Sequence, residues 1–470
     1  MKVDKISNSH KQVQPTLEEA EAMRSLVEAR EEDLSKLIVQ LLSGWIIGKS
    51  DLHNWAPVLD RFDDILKGLA SEYLSAGPQS QCYSGEQKEL VMYILELEKL
   101  LLENTSSRYL FNSYDRLNEL LLTNDMDVLE CSLELLALPA RKLEAHGRLL
   151  KTFNQQIKLA RLKLLAGVLP LEEMDDELIK LSEVHRNQLD SRTLLHIRLI
   201  SLYILLMLDF HTHDASKSEV FSINPLLIEE IAKLITCAPV ALMKVEAAAM
   251  FVMRACLKFD FKAQEISNCL NLSSGYGIVM NLVRTMGATF CSPQAATYSP
   301  YFFTGYMDLL YTLCSSLDYV TELLNAGIIE ELVKTIENCY PQHCRHAKKY
   351  ICCIERMISK RLETMDVFLT ADGLNVVVRT VGIYSVAPCP AGPYLAALLS
   401  LLEKIMMCLG SNERMQNLEE TPLFSTHVKF IFENAIAMGP EVLTSAACLM
   451  TNLIDREPST IGILQEHGVA

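Results

Sequence analysis

Ala326-Gly327-Ile328-Ile329-Glu330-Glu331-Leu332-Val333 is the stretch whose reading decides how this chain folds. A small residue and a glycine let one helix end and the backbone turn, and the apolar residues that follow recur at the spacing of a helix face. Alone, such a match decides nothing. The pattern returns at Asn224-Pro225-Leu226-Leu227-Ile228-Glu229-Glu230-Ile231, at Gly277-Ile278-Val279-Met280-Asn281-Leu282-Val283 and at Asp372-Gly373-Leu374-Asn375-Val376-Val377-Val378, then at Thr421-Pro422-Leu423-Phe424 and His467-Gly468-Val469. From Pro225 to Gly468 the steps are about 46 to 52 residues, close to the armadillo/HEAT period. One such repeat cannot bury its apolar face by itself, so only a stack is stable. The expected fold is all-α: an armadillo/HEAT-like helical-repeat superhelix, an α-solenoid.

Helical periodicity extends outward from these repeats. Between Glu86 and Leu102, Leu90, Tyr93, Ile94, Leu97, Leu100 and Leu101 share one face. Asp125 to Leu138 opens with an acidic turn that suits a helix N-terminus and continues with Val128, Leu129, Leu133, Leu135 and Leu136. Val376 to Val381 is β-branched, but its place in the repeat predicts helix. The most apolar run, Leu194 to Leu208, is broken by His196 and Arg198. It is shorter than the roughly 20 residues that cross a bilayer, which predicts a buried solenoid helix. The expected organisation is a disordered N-terminus over 1–15, a helical segment over 16–76, first repeats over 82–210 and a second block over 211–470, truncated at its C-terminus. Ala76 to Gln81 is read as a linker; His211 to Ser218, Cys291 to Ser299 and the Pro-rich Ala387 to Pro393 are read as loops.

Half of the 470 residues are apolar and 7% are aromatic, a Leu-rich, helix-biased composition. With 43 basic against 59 acidic residues, the net charge is −16, which opposes direct binding to a phosphate backbone. Fourteen cysteines are scattered without a C-x-x-C pair, and the polar start from Met1 to Gln14 carries no signal peptide. This predicts reduced, buried thiols and a cytoplasmic or nuclear location.

Trp45-Ile46-Ile47-Gly48-Lys49-Ser50-Asp51-Leu52-His53-Asn54-Trp55, followed by Leu59-Asp60-Arg61-Phe62-Asp63-Asp64-Ile65-Leu66, resembles the N-terminal region of the giant Mule-type HECT E3 ubiquitin ligases. The likeness continues in order through Ser107 to Leu110, Leu121 to Leu136, His196 to Leu199, Leu227 to Glu230, Gly327 to Leu332, Phe432 to Pro440 and Leu464 to Gly468. Arg141 to Arg192 departs from it. The resemblance implies an armadillo-like scaffold that recruits protein substrates of the ubiquitin system. Ubiquitin transfer would occur on a HECT domain that this chain lacks, and the scaffold would contact that missing C-terminal region. The end at Gly468-Val469-Ala470, where a further helix is expected, reads as a fragment, a truncated gene model or a diverged paralogue. A stand-alone armadillo adaptor in transport or complex assembly is the alternative.

No constellation in the sequence commits to catalysis, a cofactor or a metal, so no catalytic, cofactor or metal residue is assigned, and neither nucleic acid nor membrane is expected as a direct partner. His343 and His346 sit three apart, but no second ligand pair accompanies them, and a solvated helix start is expected instead. His211 and His213 flank a loop. Asp63-Asp64, Glu172-Glu173, Asp175-Asp176 and Glu229-Glu230 read as exposed faces or helix starts. The adjacent Cys352 and Cys353 point in different directions. Cys82 falls in a loop, whereas Cys256, Cys314 and Cys448 are expected in the core. Ser274-Gly275-Tyr276-Gly277 lacks the strand that a phosphate loop needs. Trp45 and Trp55 are expected to pack N-terminal helices together rather than to form a binding site.

Overall fold

The computed structural model describes residues 15–44, 50–75, 85–106, 111, 113–121, 123, 125–140, 156–168, 191–212, 218–235, 242–294, 298–386, 392–408, 439–456, 461, 462 and 465. They divide into two compact units, Met1–Pro225 and Leu226–Ala470. Trp45, the Ala76–Gln81 linker, Cys82, His213, Glu172-Glu173, Asp175-Asp176, Pro422 and Gly468 lie outside the described residues.

In the first unit helices pair. α1 (Leu17–Glu28), α3 (Ala56–Ser75) and α5 (Tyr114–Leu120) pack in succession. Against them lie α2 (Glu31–Gly44), α4 (Gly85–Asn104), α6 (Met126–Ala140) and α8 (Ser191–Thr212), also in succession, with α7 (Gln156–Ala166) on α8. This is HEAT-type two-helix stacking. Local chemistry sets the helix starts. Thr16 and Glu19 form a reciprocal capping box before α1, and the Asp125 carboxylate accepts from Asp127 N (3.1 Å) and Val128 N (3.3 Å) before α6. Arginines secure the ends. Arg61 of α3 donates to Leu26 O and Ala29 O at the end of α1; Arg161 of α7 donates to Leu121 O and Thr123 O, each at 3.3 Å, beyond α5. A departure from the all-helical expectation is a two-residue parallel pairing of β1 (Ser50–Asp51) with β2 (Thr105–Ser106), which ties the approach to α3 to the end of α4. The apolar run from Leu194 falls in α8. Its windows are long and apolar enough to cross a membrane by composition, and 67% of that stretch is buried by neighbouring helices.

The second unit is built on triplets. α9 (Glu219–Ile223) closes the first unit; α10 (Leu227–Leu234) and α11 (Met243–Cys256) open the second. Three sets of short, middle and long helices follow. They are α12 (Ala263–Leu270), α13 (Ile278–Phe290) and α14 (Pro300–Leu313); α15 (Leu317–Asn325), α16 (Ile328–Asn338) and α17 (Cys344–Lys360); and α18 (Glu363–Thr370), α19 (Gly373–Val386) and α20 (Gly392–Cys408). Middle helices α13, α16 and α19 stack on one another, as do long helices α11, α14, α17 and α20, with α21 (Pro440–Arg456) on α20. Two parallel runs of like helices, each repeat burying its face on the next, make an armadillo-type α-solenoid. The β-branched Val376 to Val381 is helical within α19, as the repeat required.

The repeat starts at Gly277, Gly327 and Gly373 each open a middle helix, and that at Pro225 leads into α10, but the reasons differ. Gly327 has φ +83°, the left-handed conformation in which a side chain is strained, and it turns α15 into α16. Gly277 is extended (φ −67°, ψ 166°) and is needed for room: a Cβ there would lie 2.0 Å from Asn271 O. Ile328, Ile329 and Leu332 of the deciding stretch are 0% exposed. Each such side chain contributes about 2 kcal/mol of burial.

Candidate functional site

The densest polar group in the first unit lies where α4, α6 and α8 meet. On α6, Glu130 and Glu134 are one turn apart and face His196 of α8, which is 1% exposed. The imidazole lies between them: Nδ1 is 2.5 Å from Glu130 Oε1 and Nε2 is 3.9 Å from Glu134 Oε1. Lys99 of α4 donates to the other Glu134 oxygen and lies 3.9 Å from Glu96 Oε1. One ligand atom from each of Glu130, Glu134 and His196 falls within 4.8 Å of the others, so these three residues have the spacing to hold a metal ion. Lys99 already brings a positive charge to Glu134. Burial on its own would lower the Lys99 ammonium pKa; Glu134 and Glu96 outweigh it and hold the group charged, above its usual range. We read the group as an ion-pair knot between three helices. Cys131, 3.8 Å from Glu96 Oε1, is pushed up to about 12, first by burial and then by Glu134 and Glu96, so its thiol is no nucleophile.

Beside this knot sits a second charge anomaly. Glu98 of α4 is 0% exposed, and among the described residues neither of its carboxylate oxygens meets a hydrogen-bond donor. Burial, and then the neighbouring Asp63 carboxylate of α3, raise its pKa well above the ordinary value. Asp63 is raised too, by burial against the lowering effect of Ser113 and Arg116. Burial and the second carboxyl therefore both favour the protonated form of Glu98 over the carboxylate.

In the second unit α17, α20 and α21 border an open groove of about 490 Å³, lined among others by Lys348, Glu355, Ser400 and Thr444. Burial raises Glu355 against a hydrogen bond from Ser400.

Among the described residues, those singled out in the sequence lie apart from one another. His343 and His346 are not a solvated helix start, which corrects that expectation. His343 is 3% exposed, with Nε2 3.2 Å from both Ser292 O and Gln294 O; His346 stacks on Phe303 at 4.4 Å. Both rings pack against the Phe290 side of the repeat below, so their apolar faces are worth more buried than hydrated. Cys256 and Cys314 are core, as expected, but Cys448 is exposed on α21, and Cys408 is exposed as well. The apolar face around Cys448 was misread because α21 packs through Val442, Ala446, Leu449 and Met450, one helix face away. Asp64 and Glu229-Glu230 are exposed, with Glu229 accepting from Lys233 at 2.7 Å. Ser274 to Gly277 is a turn after α12 that leaves Tyr276 86% exposed, and Trp55 is 0% exposed, a packing residue. Sequence reasoning missed Glu98, Lys99, Glu130 and Glu134. The available signals were the one-turn spacing of Glu130 and Glu134 and the interruption of an apolar run by His196.

Comparison with known proteins matches two domain families in series. Residues 86–179 and 178–288 match the Domain of Unknown Function DUF908, and residues 327–470 match the Domain of Unknown Function DUF913. The mouse (Mus musculus) E3 ubiquitin-protein ligase HUWE1 is 21% identical over an alignment that covers 92% of this chain and 12% of that protein. The E3 ubiquitin-protein ligase ptr1 of Schizosaccharomyces pombe is 22% identical, over 90% of this chain and 16% of that protein. The chain thus spans between an eighth and a sixth of the length of these relatives. Among solved structures, the designed armadillo repeat protein YIII(Dq)4CqI covers 57% of this chain and 96% of its own, at 16% identity and a TM-score of 0.37. At that score the fold assignment rests on the helix stacking of this chain itself. Carrying DUF908 and then DUF913, in line with relatives over nine-tenths of its length, this chain belongs to the family formed by the N-terminal regions of the giant HECT-type ubiquitin ligases.

Proposed function

We propose that the chain is a protein-binding scaffold that recruits substrates for protein ubiquitination. The reading is carried by the serial DUF908 and DUF913 match in a chain that is collinear with ubiquitin ligases but spans only a small part of them. The stacked repeats support it, since a solenoid offers long helical faces and rigid grooves for protein ligands. Ubiquitin transfer is assigned to a HECT domain outside this sequence, and the partners are protein substrates and that distant catalytic region. The working location is the cytoplasm or nucleus, where ubiquitin conjugation takes place.

Immunoblotting of the endogenous protein, with an antibody raised against residues 86–288, tests the reading. The expected band lies far above 52.9 kDa, and the immunoprecipitate charges with ubiquitin from a loaded conjugating enzyme. A single band near 52.9 kDa with no ubiquitin-charging activity would overturn the ligase arm and favour a free-standing adaptor.

A further inference from the structure

The joint between α16 and α17 brings two thiols together. Cys339 is the C-terminal cap of α16 in extended conformation, Cys344 opens α17, and only Tyr340 and a single 3-10 turn, Pro341–His343, separate them. Cys339 Sγ and Cys344 Sγ lie 3.5 and 3.6 Å from the same acceptor, Tyr340 O, which gathers both thiols on one side of the turn. Tyr384 of α19 completes the group, donating its hydroxyl to Cys339 O at 2.9 Å.

The two sulfurs are not equivalent. The neighbouring Cys339 thiol lowers the Cys344 pKa against the opposing effect of burial, and Tyr384 adds to the lowering. Cys344 also stands at the N-terminus of a 17-residue helix, where the dipole favours a thiolate. Cys339 is raised by the Cys344 thiol and by burial, so it keeps its proton. Cys344 is 2% and Cys339 9% exposed, and the adjoining Tyr340 is 41% exposed, so the two thiols lie just beneath the surface at this turn. A second thiol pair in this unit provides the contrast. Cys314 and Cys353 are both 0% exposed, and Cys353 is raised well above the usual thiol range by the Cys314 thiol and by burial.

We propose that Cys339 and Cys344 are an oxidation site, converted by a hydroperoxide into a disulfide that pins the end of α16 to the start of α17. The Cys344 thiolate attacks one peroxide oxygen, the O–O bond breaks, and the departing oxygen leaves protonated, as water when the oxidant is hydrogen peroxide. Cys344 is then a sulfenic acid. The Cys339 sulfur attacks that sulfur, the S–O bond breaks, and hydroxide leaves with the Cys339 proton as a second water. Two electrons pass from the thiols to one peroxide.

The test uses the full chain. Trypsin releases Thr335–Arg345, which carries both cysteines in one peptide. The chain is treated with limiting hydrogen peroxide, denatured, capped with N-ethylmaleimide and digested. The expected Thr335–Arg345 peptide is two hydrogens lighter, takes up no maleimide and reverts with dithiothreitol. Its oxidation runs about tenfold or more ahead of Cys314 and Cys353, which still accept maleimide. In folded Cys339→Ser, with unchanged circular dichroism, Cys344 is captured by dimedone as sulfenic acid. The proposal is overturned if Thr335–Arg345 carries two maleimides at doses that oxidise the exposed Cys408 and Cys448, or if dimedone fails to label Cys344 in Cys339→Ser.

Discussion

Glu98→Gln should flatten the pH dependence of stability in the first unit. In the folded chain Glu98 is 0% exposed beside Asp63, and its pKa is raised well above the ordinary carboxyl value by burial and by that second carboxyl. In the unfolded chain it titrates near ~4.3. A group with a raised folded pKa contributes stability that is fully present below its unfolded pKa and is lost as pH rises through the folded one. Within that window the folded side chain keeps a proton that the unfolded one has released, and stability falls by about 1.4 kcal/mol per pH unit. Glutamine has nearly the same shape and no proton to lose. It buries an amide as poorly partnered as the acid, at about 1–3 kcal/mol, so the two chains should be similar near pH 4 and diverge above it. Urea unfolding at pH 5, 6, 7 and 8, followed by tryptophan fluorescence, reads this unit selectively, because both tryptophans, Trp45 and Trp55, lie within it. Parallel stability curves for wild type and Glu98→Gln across that range would refute a raised Glu98 pKa.

Three further outcomes follow from the same geometry. His196→Ala removes the imidazole that meets Glu130 and should cost about 1–3 kcal/mol in denaturant unfolding; with Glu130→Gln added, the loss should be clearly less than additive. Gly277→Ala, whose Cβ would lie 2.0 Å from Asn271 O, should lower the melting temperature more than Gly327→Ala, which costs about 1–2 kcal/mol for its φ of +83°; Gly327→Asn should recover part of that loss. Leu332→Ala, at a 0% exposed position between repeats, should cost about 2–5 kcal/mol, whereas Leu362→Ala, 73% exposed, should stay within about 0.5 kcal/mol by calorimetry.

Much of the fold was legible in the chain because helices announce themselves locally. The face of Leu90, Ile94, Leu97 and Leu101 is buried as its spacing predicts, and Asp125 caps α6 through its own side chain. The polar knot was illegible for the opposite reason. Lys99, Glu130, Glu134 and His196 come from three helices up to about a hundred residues apart, and no local spacing connects them. His343 and His346 were misplaced because a histidine three residues from another looks the same whether water or Phe303 covers it. The nearness of Cys339 and Cys344 to one carbonyl was illegible because four residues separate them, and only the 3-10 turn folds that spacing back on itself.

What the amino-acid order settled by itself was the class of structure and the kinship: helices of one periodicity, a repeat step marked by Gly327, Gly277 and Gly373, and a run of residues collinear with the ligase N-terminal regions. These are short-range or strictly serial properties, and a one-dimensional string carries them whole. Only the tertiary structure decided that the early helices stack in pairs and the later ones in triplets, because that depends on which apolar face meets which neighbour. It alone buried Glu98 beside Asp63 and brought Cys339 and Cys344 to one carbonyl oxygen. Dielectric environment and side-chain proximity are properties of packed elements, and they exist only after the repeats have stacked.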